Sequence, residues 1–362
     1  PLWSRGLGDV YKRQSWTNSN GLINQAGQVR VVTPQNINFN NGLGQTMTFN
    51  PNFISDILAN GTNITLQASN DITLDIGTDI NVSGNAGGKL TLQAGRNIIL
   101  NSSITTANGD FFAIAGDSNA ITADREAGTP TITLGNGVFI NAGLGKVVLA
   151  AINGNFNNNT GSTSPINASQ WWIYSTDPRE NQRNGMVADA KHYAQPYTGT
   201  TPNYATQGNW FLYSITPTLT VTPNGQTVIS INGFIPTSFN YSLTGFIDGD
   251  TKDSAGITGF AQFGIDNFNG KTGLYNVRYL QGLASKLGYN FIDNSESTNE
   301  LRLVSVTAPG LIKHSNIGDS IGIILRSQRT PLQLETLFWN WYRYASRFEE
   351  VDFDFGQYKH HP

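Results

Sequence analysis

Between Asn63 and Val82 the chain reads "NITLQASNDITLDIGTDINV", with Ile64, Ile72 and Ile80 spaced eight residues apart. Each opens an apolar-polar-apolar unit: Ile64-Thr65-Leu66, Ile72-Thr73-Leu74 and Ile80-Asn81-Val82. A period of two within a unit is that of a strand, with the outer side chains on one face and the middle one on the other.

The beat continues in "KLTLQAGRNIILNSSITTANGDFFAIAG", which supplies Leu90-Thr91-Leu92, Ile98-Ile99-Leu100 and Ile104. Ile64 to Leu90 is 26 residues, Ile72 to Ile98 is 26, Ile80 to Ile104 is 24 and Leu90 to Phe112 is 22. A larger period of 22–26 residues therefore holds three short strands, the mark of a solenoid. A strand this short is unstable alone, but stacks on its equivalent one turn of chain earlier, about 4.8 Å away, in a parallel sheet. The pattern predicts an all-β chain in which residues 15–160 form a right-handed parallel β-helix. Ile and Leu would fill its columns, and Asn, Asp and Gly its corners. Similar units flank the clearest repeats: "QVRVV", "INF" and "TMTF" before, "TITL", "VFI" and "KVVLAAI" after. A β-sandwich is the alternative, although its strands usually run longer.

The rhythm stops at "NGNFNNNTGSTSPINAS" (Asn153–Ser169), which reads as a linker. Residues 161–215 are predicted to be an aromatic-rich cap and linker, carrying Trp171, Trp172, Tyr174, Tyr193, Tyr197, Trp210, Phe211 and Tyr213. Residues 216–310 read as a small β-rich module, with α+β as the alternative class and strands at "TLTVT", "VISI", "NYSLTGF", "GITGFAQFG", "LYNVRYL" and "LRLVSV". In the last segment, 311–362, a helix is predicted over 331–349. Thr330 is its N-cap, Pro331 its first residue, and Leu334, Leu337, Phe338, Trp341, Ala345 and Phe348 share one face. Its mixed charges suit packing on protein better than a membrane surface. Residues 1–14, "PLWSRGLGDVYKRQ", are unlike the rest and read as a non-native leader, so that the chain is expected to be a fragment.

Composition sharpens this picture. Only 13% of residues are charged, against about 25% in an ordinary soluble domain. Asn, Thr, Ser and 39 Gly carry the polarity instead, and these favour turns. A net charge of −3 without a Lys/Arg stripe speaks against nucleic-acid binding. The chain has no cysteine, which removes disulfides and thiolate metal sites.

"GGKLTLQAGRNIILNSSITTANG" resembles the repeats of filamentous-haemagglutinin-type exoproteins, large Gram-negative surface adhesins exported by two-partner secretion. "WWIYSTDPRENQRNGMVADAKHYAQPY" with "GNWFLYSITPTLTV" resembles the segment that follows such stems. "FNYSLTGFIDGDTKDSAGITG" followed by "GLYNVRYLQGLASKLGYNFID" is similar to the small MBG/YDG-type modules found in them. The resemblance implies a β-helical stem and an extracellular or outer-membrane location. It also implies an outer-membrane secretion transporter as partner, and an adhesive role toward host cells, glycans or other bacteria. It implies neither cofactor nor catalysis. A β-helical polysaccharide lyase and the stem of a contact-dependent toxin-delivery exoprotein are the competing classes.

Each candidate for chemistry has a plainer reading. Asp71, Asp75 and Asp79 could hold Ca²⁺ beside Arg96 as the base of a lyase, but Asp71 and Asp79 also sit where corners would fall. Ser118 or Ser320 in "GDS", with Asp189 and His192 in "DAKH", mimics an esterase set on a chain that lacks the α/β pattern. His314, His360 and His361 have no metal-ligand spacing. The aromatic cluster could stack on sugar rings or close the end of the repeats, and its position where they stop favours closure.

Overall fold

The computed structural model describes residues 15–18, 24–25, 28–29, 36–40, 44, 46–200, 208–231, 239–269, 273–294 and 300–306. The chain is mostly β, with parallel sheets and one α-helix among these residues. The expected leader, the helix over 331–349 and the residues Ser320, His314, His360 and His361 lie outside them.

From Ile64 onward the chain visits three sheets in fixed order. Ile64–Ala68 lies in the first, Ile72–Leu74 in the second and Ile80–Asn81 in the third. Leu90–Ala94, Ile98–Leu100 and Ile104–Thr105 repeat the passage, and each pairs in parallel with its predecessor. Phe111–Ala115, Thr131–Leu134 and Ile140–Asn141 follow, then Lys146–Ala151, Asn155–Asn158 and Ile166–Asn167. The first sheet continues through Gln170–Ser175 and Trp210–Tyr213 to Ala190–His192.

Register follows from the apolar alternation. Ile64 pairs with Leu90, Ile72 with Ile98, and Ile80 with Ile104, as the spacing predicts. Phe111, not Phe112, continues the Leu90 column. Phe111 is fully buried, while Phe112 faces outward under the Lys89 ammonium, 3.7 Å from its ring centre. A one-residue slip exchanges the two faces, so the inward column selects the spacing of 21 between Leu90 and Phe111.

The corners explain the Asn- and Gly-rich composition. Asn63 Oδ1 accepts from Lys89 N at 2.8 Å, Asn97 Oδ1 from Thr131 N at 3.0 Å, and Asp79 Oδ1 from Ser103 N at 2.8 Å. In each case the acceptor side chain precedes a strand, and the donor is the residue in register with it on the next passage. The side chain carries the hydrogen-bond ladder around a bend where carbonyls no longer align. A second corner is a column of glycine. A Cβ on Gly88 would lie 2.1 Å from Thr62 O, on Gly109 2.2 Å from Gly88 O, and on Gly145 2.4 Å from Gly109 O. Any side chain there would force successive passages apart.

Two sequence expectations are corrected. "NGNFNNNTGSTSPINAS" is not a linker: it contains the paired strands Asn155–Asn158 and Ile166–Asn167, whose inward Phe156 and Ile166 are buried. The strand Thr46–Phe49 runs into a helix, Pro51–Ala59, where only repeats were expected. Asn50 caps it by accepting from Asn52 N, Pro51 occupies the first turn, and Ile54 and Leu58 point into the core. The helix covers the free side of the third sheet. Ser55 Oγ accepts from Asn81 N at 3.0 Å, and Leu58 O from Gly88 N at 2.8 Å. The edge donor Asn81 N and the corner donor Gly88 N are thereby satisfied within the chain.

The described residues divide into two compact units. One takes those up to 223 together with 241–264 and 278–294, and its core runs from Phe49 and Ile54 to Leu287 and Tyr289. It includes a small sheet in which Thr218–Pro223 pairs antiparallel with Tyr241–Thr244 and parallel with Asn290–Asp293. The other unit takes 224–231, 239–240, 265–269, 273–277 and 300–306. In it Gln226–Ile231 pairs in parallel with Glu300–Val306, and Gly273 to Asn276 run antiparallel to Glu300 to Leu303. All six strands expected after residue 216 are present, and Asn290–Asp293 is an addition.

Candidate functional site

The aromatic segment splits its side chains between two faces of the first sheet. In Gln170–Ser175, Trp171 and Ile173 point into the columns while Trp172 and Tyr174 point outward. The neighbouring Trp210–Tyr213 repeats this, with Phe211 and Tyr213 inside and Trp210 and Leu212 outside. Strand alternation makes this division unavoidable for a "WW" pair.

Inside, the aliphatic columns become aromatic. The Trp171 ring meets Phe211 edge-on at 5.3 Å, Tyr213 stacks with Tyr193 at 5.7 Å, and Tyr193 meets Tyr289 edge-on at 5.0 Å. These contacts lead from the last passages to Tyr289, the residue directly before the small-sheet strand Asn290–Asp293. Outside, Trp172, Tyr174, Trp210 and Leu212 bury one another with Ile114, Val148 and Ala150. Tyr197 closes edge-on over Tyr174 at 5.1 Å, and the Lys146 ammonium lies 4.3 Å from the Trp172 ring centre. Trp172 Nε1 is buried and has no hydrogen-bond partner among the described residues. Seven of the eight aromatics (Trp171, Trp172, Tyr174, Tyr193, Trp210, Phe211 and Tyr213) are buried, and Tyr197 is half-buried. Their ring faces are occupied by protein.

A compact polar group lies beside the inner aromatics, and sequence reasoning missed it. Asp248 is held by Arg183, with Arg183 Nη1 donating to Oδ2 at 3.0 Å and Nη2 donating to Oδ1. Lys191 Nζ donates to Asp248 Oδ2 at 2.8 Å and sits 2.9 Å from Asp250 Oδ1. The Tyr193 and Tyr289 hydroxyls both donate to Asp250 Oδ2 at 2.8 Å. Burial pushes all three neighbouring phenols up, Tyr289 to about 12 and Tyr193 and Tyr213 further. The available signal was "DGD" in a chain so poor in charge, opposite the lysine of "DAKH".

The other candidates separate. Asp71 forms a two-pronged ion pair with Arg96, which also meets Glu126 at 2.7 Å. The hydrogen bond to Asp71 raises the Arg96 pKa, the reverse of what a base requires. Asp79 Oδ1 accepts from Ser103 N, and Asp75 accepts from Thr78 and Ser102 through its backbone carbonyl, so the three residues make separate contacts. Among the described residues no three His, Asp or Glu are grouped as metal ligands. Ser118 follows the strand Phe111–Ala115, four strand spacings from the strand of His192, roughly 19 Å along the sheet. His192 instead stacks on Trp210 at 4.9 Å, and burial lowers its pKa. Asp189 accepts from Asn209 N at 2.7 Å. The esterase set is therefore not assembled.

Comparison with known proteins found no matching family model, no matching curated protein and no matching solved structure.

Proposed function

We propose that the passages from Ile64 to Tyr213 are a right-handed parallel β-helix, the stem of a filamentous-haemagglutinin-type surface adhesin. The observation that carries this reading is the fixed order in which the chain visits three all-parallel sheets, with side chains continuing the ladder at the corners. Such a body has no free strand edge along its sides, so it resists lateral aggregation while projecting a surface away from a cell. Adhesion would then arise from many weak contacts to glycans or a host-cell receptor, combined by avidity. Export would pass through an outer-membrane two-partner-secretion transporter. The competing lyase loses its candidate base, since Arg96 is held protonated between two carboxylates.

Two measurements test the proposal. A long sequencing read through the locus should find a secretion domain upstream and a transporter gene nearby; a signal peptide directly before the repeats and no transporter would overturn the export route. Beads coated with the chain should bind host cells or a glycan array in a saturable way, without shortening any polysaccharide. Cleavage of a polysaccharide would replace the adhesin with the lyase.

A further inference from the structure

The polar group beside Tyr193 contains two carboxylates and two cations in unequal roles. Asp248 has a complete partner in Arg183, which grips both its oxygens. Among the described residues no arginine meets Asp250. Its side chain is 3% exposed, Oδ2 takes the two phenol hydroxyls, and Oδ1 faces Lys191 Nζ at 2.9 Å. The same Nζ is 2.8 Å from Asp248 Oδ2. An amine, a buried carboxyl with two donors on one oxygen, and a second carboxylate touching the same amine are the parts of an amide-forming centre.

We propose that Lys191 and Asp250 condense to an intramolecular amide, stapling the last strand of the first sheet to the 247–250 turn. The Lys191 ammonium passes a proton to Asp248, which relays it to Oδ1 of Asp250, leaving a neutral amine and a neutral acid. Nζ attacks Cγ, the C–N bond forms, and Tyr193 and Tyr289 stabilise the charge that develops on Oδ2. Asp248 takes the second proton from nitrogen and delivers it to Oδ1, the C–Oδ1 bond breaks, and water leaves. Nothing is oxidised or reduced, and no further reactant is needed.

The charges close. One cation and one anion are consumed together, and Asp248 ends as a carboxylate still gripped by Arg183. An ion pair buried at cost becomes a neutral amide in an aromatic shell. In a chain with no cysteine, this bond does the work of a disulfide: it ties the Ala190–His192 strand to the 247–250 turn when the molecule is pulled.

The test is the intact mass of the purified full chain. The expected value is about 18 Da, one water, below that of the sequence, with a tryptic peptide in which Lys191 and Asp250 are joined. Lys191→Arg keeps the ion pair and cannot form the amide, so it should show the unreduced mass. Asp248→Asn should keep the fold and slow the loss of water. A folded wild-type chain at full mass after prolonged incubation overturns the proposal. So does a water loss traced to a succinimide at Asp248-Gly249, which leaves the two peptides unlinked and opens with hydroxylamine.

Discussion

Asp71 accepts the backbone N–H of Asn97 at 3.0 Å through Oδ1, while both its oxygens hold the Arg96 guanidinium. One side chain thus joins consecutive passages and neutralises the arginine of that corner. Asp71→Ala removes both interactions and should destabilise the fold by about 1–3 kcal/mol. Asp71→Asn can still accept from Asn97 and loses only the partly exposed ion pair, so its cost should stay under about 1 kcal/mol. Urea midpoints of the two variants check the difference; equal losses would mean that the backbone bond contributes nothing.

The pair Phe111 and Phe112 tests the register. Phe111→Ala empties a fully buried position and should cost about 3–5 kcal/mol. Phe112→Ala removes a ring from the outer face and should cost far less. Thermal denaturation of the two variants decides it, and the reverse order would place the columns one residue further on.

Ser55 supplies an acceptor to a strand edge from a helix. Ser55→Ala leaves Asn81 N without that acceptor and should cost about 1–3 kcal/mol. Hydrogen exchange should speed up at Asn81 and leave Thr105 unchanged. Uniform loss of protection would instead mean that the helix folds with the whole stack.

The buried phenols make the end of the stack sensitive to alkali. Their native pKa values lie above the ordinary 10, Tyr289 at about 12, chiefly because burial opposes the phenolate. Above pH 10 the unfolded chain releases protons that the folded chain keeps, so stability falls as pH rises. The contribution is whole below pH 10 and is lost, for Tyr289, by about pH 12. Urea midpoints measured across that window should drop, and Tyr289→Phe should flatten the drop. An unchanged slope in that variant would assign the loss to other groups.

Much of this architecture was legible in the chain. The columns through Ile64, Leu66, Ile72 and Ile80 were visible because inward positions must be apolar on every passage. The stretch Asn153–Ser169 was misread because its strands are short and their outward positions are Asn, the residue that also marks loops. The helix Pro51–Ala59 was overlooked although Asn50, Pro51, Ile54 and Leu58 carry its signals; nine residues among strong strand patterns do not stand out. The Lys191–Asp250 group was out of reach for a different reason. Its members lie far apart in sequence, and one of them, Tyr289, follows Gly288, where the chain passes close enough for the Leu287 carbonyl to accept from Tyr193 N.

The placement of Trp210–Tyr213 between Gln170–Ser175 and Ala190–His192 sets an order of events. Ala190–His192 leaves the chain first, yet the rung it rests on has not been made when it emerges. A polypeptide threaded from its N-terminus can zip each passage onto the last as far as Ser175, and must then wait. Closure needs at least the next 38 residues, through Tyr213, to be delivered together. Until then, the growing end stays a live template, ready to accept the following strand.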